Sequence, residues 1–193
     1  MAQLNRLISK ILTAECGLSK KYYSKTFAEQ YDIASDRGYA NVSGDRGGQT
    51  KNGITYMTYC TYCRQKGKRK PTIEDLKKLD FVEWLDIIRT LYWDKWLADK
   101  IDNQSVANIL VDWQINSGNW GVRIVQKMLG VKVDGKVGKY TLKALNKWNQ
   151  QILFNDIKDK RVLFYQSIVD KNPSQAKFLK GWLNRLKLYN YEE

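Results

Sequence analysis

From Ser105 to Tyr189 the sequence is a succession of amphipathic helical segments cut by glycine, and this punctuation constrains the fold more than any other feature. "SVANILVDWQINSG" opens on a Ser cap at Ser105 and stops at Gly118, and "WGVRIVQKMLG" stops at Gly130. "VKVDGKVGKYTLKALNKW" reads as a glycine-punctuated turn leading into a helix near 139–149. A long amphipathic helix near 150–170 ends before "KNPSQ", and "QAKFLKGWLNRLKLY" supplies the last one. Such a chain folds mainly as α-helix, as a helical bundle.

The first half is less regular. Leu4, Leu7, Ile8, Ile11 and Leu12 recur at helical spacing, which predicts a helix over 3–16 with Glu15 in its last turn. A short helix is expected near 24–35. "ITYMTYCTYCRQ" at 54–65 fits helix or strand, because β-branched and aromatic residues dominate it. Thr72 with Asp75 three residues on is a capping-box-like start. "FVEWLDIIRTLYWDKWLADKI" is strongly helical, with Phe81, Trp84, Leu85, Ile88 and Leu91 on one stripe; Trp93 and Trp96 read as core. Neither a repeat nor a flexible linker divides the 193 residues. The expectation is a small, mixed, loop-rich lobe over 1–99 and a helical lobe over 100–193.

Thirty-three Lys and Arg against 20 Asp and Glu give a net charge of +13, a field that draws the chain to polyanions. The cations are spread along the chain without an arginine-rich arm, so specific nucleic-acid readout is not expected. Histidine is absent, which excludes Ser-His-Asp and Cys-His catalysis and His-ligated zinc. Carboxylate, Lys, Tyr and Cys remain for acid–base work. Cys60 and Cys63 form a lone CxxC without a second pair or a histidine to complete a metal site, and they read as two small residues on one helical turn. No metal or cofactor is expected. The N-terminus is too polar for a signal peptide, and no run reaches the length of a membrane span. The chain is therefore expected to be made in the cytoplasm, and to act as a monomer.

"GDRGGQTKNGIT", Gly44 to Thr55, concentrates four glycines around Asp45 and Thr50. Glycine-rich backbone lets a polysaccharide approach closely. A glycosidase needs a proton-donating acid and a second carboxylate or oriented water. A carboxyl at the end of a largely apolar helix, the position of Glu15, is partly shielded from water.

"ILTAECG" followed by "GYANVSGDRGGQTKNGIT" resembles the N-terminal signature of the family 108 glycosidases, N-acetylmuramidases with a lysozyme-like fold. "DWQINSGNWGVRIVQKMLGVKVDGKVGKYTLKALN", with Asp134-Gly135, Gly138 and Thr141, is similar to the peptidoglycan-binding lobe of these enzymes. "NPSQAKFLKGWLNRL" resembles their closing helix. The resemblance implies a wall hydrolase with Glu15 as the acid, Asp45 and Thr50 across the cleft from it, and no cofactor. It further implies Tyr39, Gly47, Gly48, Asp112 and Asn116 along the peptidoglycan strand.

One departure leaves two alignments open. The family's glutamate directly precedes Gly-Gly-Tyr, whereas here Asp36-Arg37 precede Gly38-Tyr39. Either Glu15 is the acid and the residues up to Gly38 are inserted, or Asp36 stands in the glutamate's place. Helical periodicity leading into Glu15 favours the first, and so does the shorter reach of Asp. A non-catalytic wall-binding protein that keeps the fold and supports secretion or phage-like release is the alternative from another class. Trp182 and Arg185 are expected to cover the core without chemistry.

Overall fold

The computed structural model describes residues 1–36, 38–40 and 48–192. They form two compact units, Leu7–Leu91 and a second made of Met1–Arg6 with Tyr92–Glu193.

In the Leu7–Leu91 unit, helix α1 (Asn5–Cys16) buries Leu7, Ile8, Ile11 and Leu12, the residues its periodicity selects. It ends as Gly17 N–H closes onto the Thr13 carbonyl at 3.0 Å. Helix α2 (Phe27–Ser35) starts in a capping box, Thr26 with Glu29. Strands β1 (Tyr39–Ala40), β2 (Thr50–Lys51) and β3 (Ile54–Thr55) form an antiparallel sheet in that order. Tyr39 faces Lys51, and Lys51 faces Ile54.

The ambiguous 54–65 segment is both things in turn. After two strand residues, the Thr55 hydroxyl accepts from Thr58 N–H at 3.0 Å and starts α3 (Tyr56–Gln65). Helix α4 (Ile73–Lys77) begins at the expected Thr72–Asp75 capping box. Helix α5 (Phe81–Ile88) is capped by Asp80.

The sequence reads as one helix to Ile101, but α5 yields at Arg89 to a π-helical turn, Arg89–Trp93, and then to short 3₁₀ turns. The packing explains the break. Trp84, Ile88, Trp93 and Trp96 are all fully buried, and the five-residue step from Ile88 to Trp93 is the spacing a π turn supplies. Ile87 is buried as well, while Phe81 and Leu85 are only half-buried. The stripe is therefore rotated from the one read off the sequence.

In the other unit, α6 (Gln104–Ser117) is capped by Asn103, whose side chain accepts from Ser105 and Val106 N–H. Ser105 lies inside the helix, correcting the expected cap. Residues Ser105 to Gln114 are all buried, polar Ser105, Asn108, Asp112 and Gln114 included, so α6 is enclosed nearly all round and occupies the centre of this unit. It packs against α7 (Asn119–Met128) and α9 (Gln150–Lys171); α8 (Lys139–Lys147) precedes α9, and α10 (Ala176–Leu186) packs on α9. Gln3 and Gln104 exchange two hydrogen bonds that fasten the N-terminal residues here.

Candidate active site

Strands β2 and β3 are joined by Asn52 and Gly53, with φ of 46° and 79°. Two successive left-handed residues make the primed turn that matches strand twist, and Asn-Gly is its strongest sequence signal. That signal was available inside the glycine-rich stretch, yet reading the stretch as a loop passes over it.

Asn52 is 1 % exposed and ties the surrounding segments together. Its N–H donates to the Gly38 carbonyl at 2.7 Å, and its side-chain amide donates to Ser35 Oγ at 2.6 Å. Its carbonyl accepts from the buried indole of Trp84 at 3.0 Å. The Cys16 thiol donates to its Oδ1 at 3.7 Å. Burial pushes that thiol up to about 12, Glu15 adding to the effect and Lys51 opposing it, so Cys16 stays protonated and remains a donor at neutral pH.

Glu15 is half-buried at the end of α1, against this turn. A Cβ added to Gly53 would lie 2.7 Å from Glu15 Cγ and 2.9 Å from its Cβ and Cδ. Only a residue without a side chain leaves that space, and only glycine is at ease at that φ. The hairpin is thus shaped around the stem of Glu15. With Glu15 as the acid proposed below, Gly53→Ala is expected to lower kcat about 100-fold with little change in KM, since displacing a reacting group loses rate steeply. Gly67→Ala provides the control: Gly67 has φ of 66° but nothing within 4 Å of its Cβ position. Equal losses in both variants would show that strain alone, not the Glu15 contact, lowers the rate.

The other expected residues fall as follows. Thr50 is half-buried in the hairpin's first strand, opposite Thr55, and Gly48 is half-buried just before it. Tyr39 is exposed on β1, and its hydroxyl donates to Gln49 Oε1 at 3.0 Å. Asp45 and Gly47 lie outside the described residues. Asp36, the rival acid, is exposed at the end of α2 and lines a cavity of about 320 Å³ with Cys16, Ser19 and Tyr22. Glu15 and the hairpin therefore come together.

Asp112 does not lie on a strand-binding surface, which corrects the expectation. It is 0 % exposed in α6, where Arg185 grips its carboxylate through Nε and Nη2, the latter at 2.7 Å, and Arg161 reaches it at 2.6 Å. Burial pushes the carboxyl up, but the charges of Arg185 and Arg161 outweigh it and hold Asp112 at about 2. Arg161 Nε donates to the Tyr165 hydroxyl, which donates to Asn116 Oδ1. Asn116 is half-buried, and lines a cavity of about 240 Å³ with Phe164, Ile168 and Trp182. Arg185 is no mere cover, and Arg161 escaped notice altogether. An acid directly after the apolar run Ile109–Val111 and before Trp113 was the available hint, because a buried carboxylate requires a cation.

A mainly helical chain with a carboxylate at a helix end, seated on a small hairpin, has the architecture of a lysozyme-like glycosidase. Residues 31–118 match the model of glycosyl hydrolase 108, and residues 120–187 match that of a predicted peptidoglycan domain. The hydrolase match identifies the chain as a glycoside hydrolase acting on peptidoglycan. The structure of Brucella abortus SagA is similar, with a TM-score of 0.67 and 28 % sequence identity over 88 % of this chain and 91 % of that one. No curated protein matches the sequence. Glu15 precedes the residues matched to the hydrolase family, whereas Asp36 is among them. Among the described residues no helix is long and apolar enough to cross a membrane.

Proposed function

We propose that this peptidoglycan hydrolase cleaves the β-1,4 bond between N-acetylmuramic acid and N-acetylglucosamine, with Glu15 as general acid. The observation that carries the reading is the Glu15 stem lying over the side-chain-free turn at Gly53. In the proposed reaction the Glu15 carboxyl gives its proton to the leaving glycosidic oxygen as the bond to the anomeric carbon breaks. Water then attacks that carbon. Thr50 orients the water, and Asp45 stabilises the positive charge that develops on the sugar or receives the water's proton. Tyr39 stacks on a sugar ring. The +13 charge concentrates the enzyme on the anionic wall, an attraction that salt weakens.

Digestion of purified peptidoglycan tests the bond assignment. Mass spectrometry is expected to find fragments with a new reducing N-acetylmuramic acid, each one water heavier than the parent segment. Fragments ending in reducing N-acetylglucosamine would reject it. Pelleting with the wall without any new ends would favour the non-catalytic alternative.

A further inference from the structure

Two glycines crowd the turn at Asn52, and each leaves room for a different side chain. Gly53 does so for the stem of Glu15. A Cβ added to Gly38 would fall on Asn52 Oδ1 and lie 2.8 Å from its Cγ. The amide cannot swing aside to admit one without giving up its bonds to Ser35 and Cys16. The fold thus keeps two positions bare so that an amide and a carboxylate stem pack on one turn.

That amide works in both directions. Nδ2 donates to Ser35 Oγ at the end of α2, and Oδ1 accepts from the thiol of Cys16, the residue after Glu15. Lys51 Nζ ties the hairpin to the same end of α2, donating to the Ser35 carbonyl at 3.2 Å. Behind the turn, Trp84 is 0 % exposed and packs against Tyr31 and Phe81, with ring centroids 5.6 and 6.3 Å away. Its indole holds the Asn52 carbonyl. An aspartate in place of Asn52 would lack the donor and a leucine would lack both groups, while φ of 46° favours asparagine over most side chains. A network with each member bonded fixes one geometry.

We propose that Asn52 and Cys16 are positioning residues for the reaction: they lock the end of α1 to the hairpin and so hold the Glu15 carboxyl in one place over Gly53. The proposal rests on the reading of Glu15 as the acid. In this role neither residue contacts the sugar or carries the proton. Burial keeps the Cys16 thiol protonated, so its bond to Asn52 persists through the neutral range.

Steady-state kinetics on purified peptidoglycan, expressed per folded molecule, tests this. Asn52→Gly removes the amide alone: glycine accepts φ of 46°, and the backbone bonds to Gly38 and Trp84 remain. Its kcat is expected to fall about 30-fold with KM within about twofold, because a loosened reacting group loses rate while substrate binding is untouched. Cys16→Ala is expected to lower kcat about fivefold, the worth of one modest hydrogen bond. Cys16→Ser restores a donor and is expected to recover most of that loss. Cys16 is half-buried and loses only this weak bond, so its variants decide the matter if Asn52→Gly fails to fold. The assignment is overturned if folded Asn52→Gly and Cys16→Ala turn over as wild type does, if KM rises in place of the fall in kcat, or if Cys16→Ser is as slow as Cys16→Ala. Wild type that opens no wall bond, or Glu15→Gln that matches wild type, refutes the reading of Glu15. An inactive Glu15→Gln beside fully active Asn52→Gly and Cys16→Ala refutes the positioning alone.

Discussion

Glu15→Gln is expected to reduce turnover on purified peptidoglycan by about 1,000-fold, within the range a positioned general acid supplies. The amide keeps the length and nearly the shape of the side chain that lies on Gly53, so the hairpin packing survives while the transferable proton is lost. The measurement is the rate of new reducing ends, compared at matched unfolding midpoints. Asp36→Asn belongs in the same experiment. An exposed residue closing α2 should tolerate the change, with activity within about twofold of wild type because surface substitutions there disturb little. Full activity in Glu15→Gln together with collapse in Asp36→Asn would move the acid to the position that falls within the matched family residues.

The second large effect is on stability. Asp112→Ala is expected to cost about 3–5 kcal/mol, the penalty for removing one partner of a buried ion pair. Arg161 is 0 % exposed and Arg185 is 9 % exposed, so the two cations are left facing each other away from water. Thermal unfolding should show a midpoint about 10 °C lower.

The ion pair also sets a pH signature. The folded carboxyl of Asp112 titrates at about 2, below its ordinary value of 3.8. The charged form is thus favoured by folding, and the resulting stabilisation is complete above about pH 4 and lost as pH falls through about 2. It amounts to about 2 kcal/mol. Asp112→Asn lacks this titration, so the stability gap between wild type and Asp112→Asn should narrow over that interval. A gap that stays constant down to pH 2 would contradict the buried pairing.

The sequence made the helices legible wherever one face is apolar. The residues α1 buries, the glycine stops at Gly118 and Gly130, and the Thr72 capping box depend on contacts within a few residues, which spacing reports directly. It failed where two local readings were equally good or a distant partner decided. The Arg89–Trp93 π turn is invisible to a periodicity search, since only packing shows which tryptophans must face inward. Asn52 looked like a loop residue although its bonds reach Cys16, Ser35, Gly38 and Trp84.

By itself, then, the sequence determined a chain without imidazole, mainly helical and strongly cationic, whose glycine-rich stretch and closing helix resemble a wall-cleaving family. The tertiary structure alone decided that Glu15 rests on Gly53, and that Asp112 is an internal counter-ion for two arginines rather than a ligand contact. The reason is physical. Propensity and periodicity act over one or two helical turns, whereas the partners of Glu15 and Asp112 stand tens of residues away, and only a folded core brings them within bonding or packing distance.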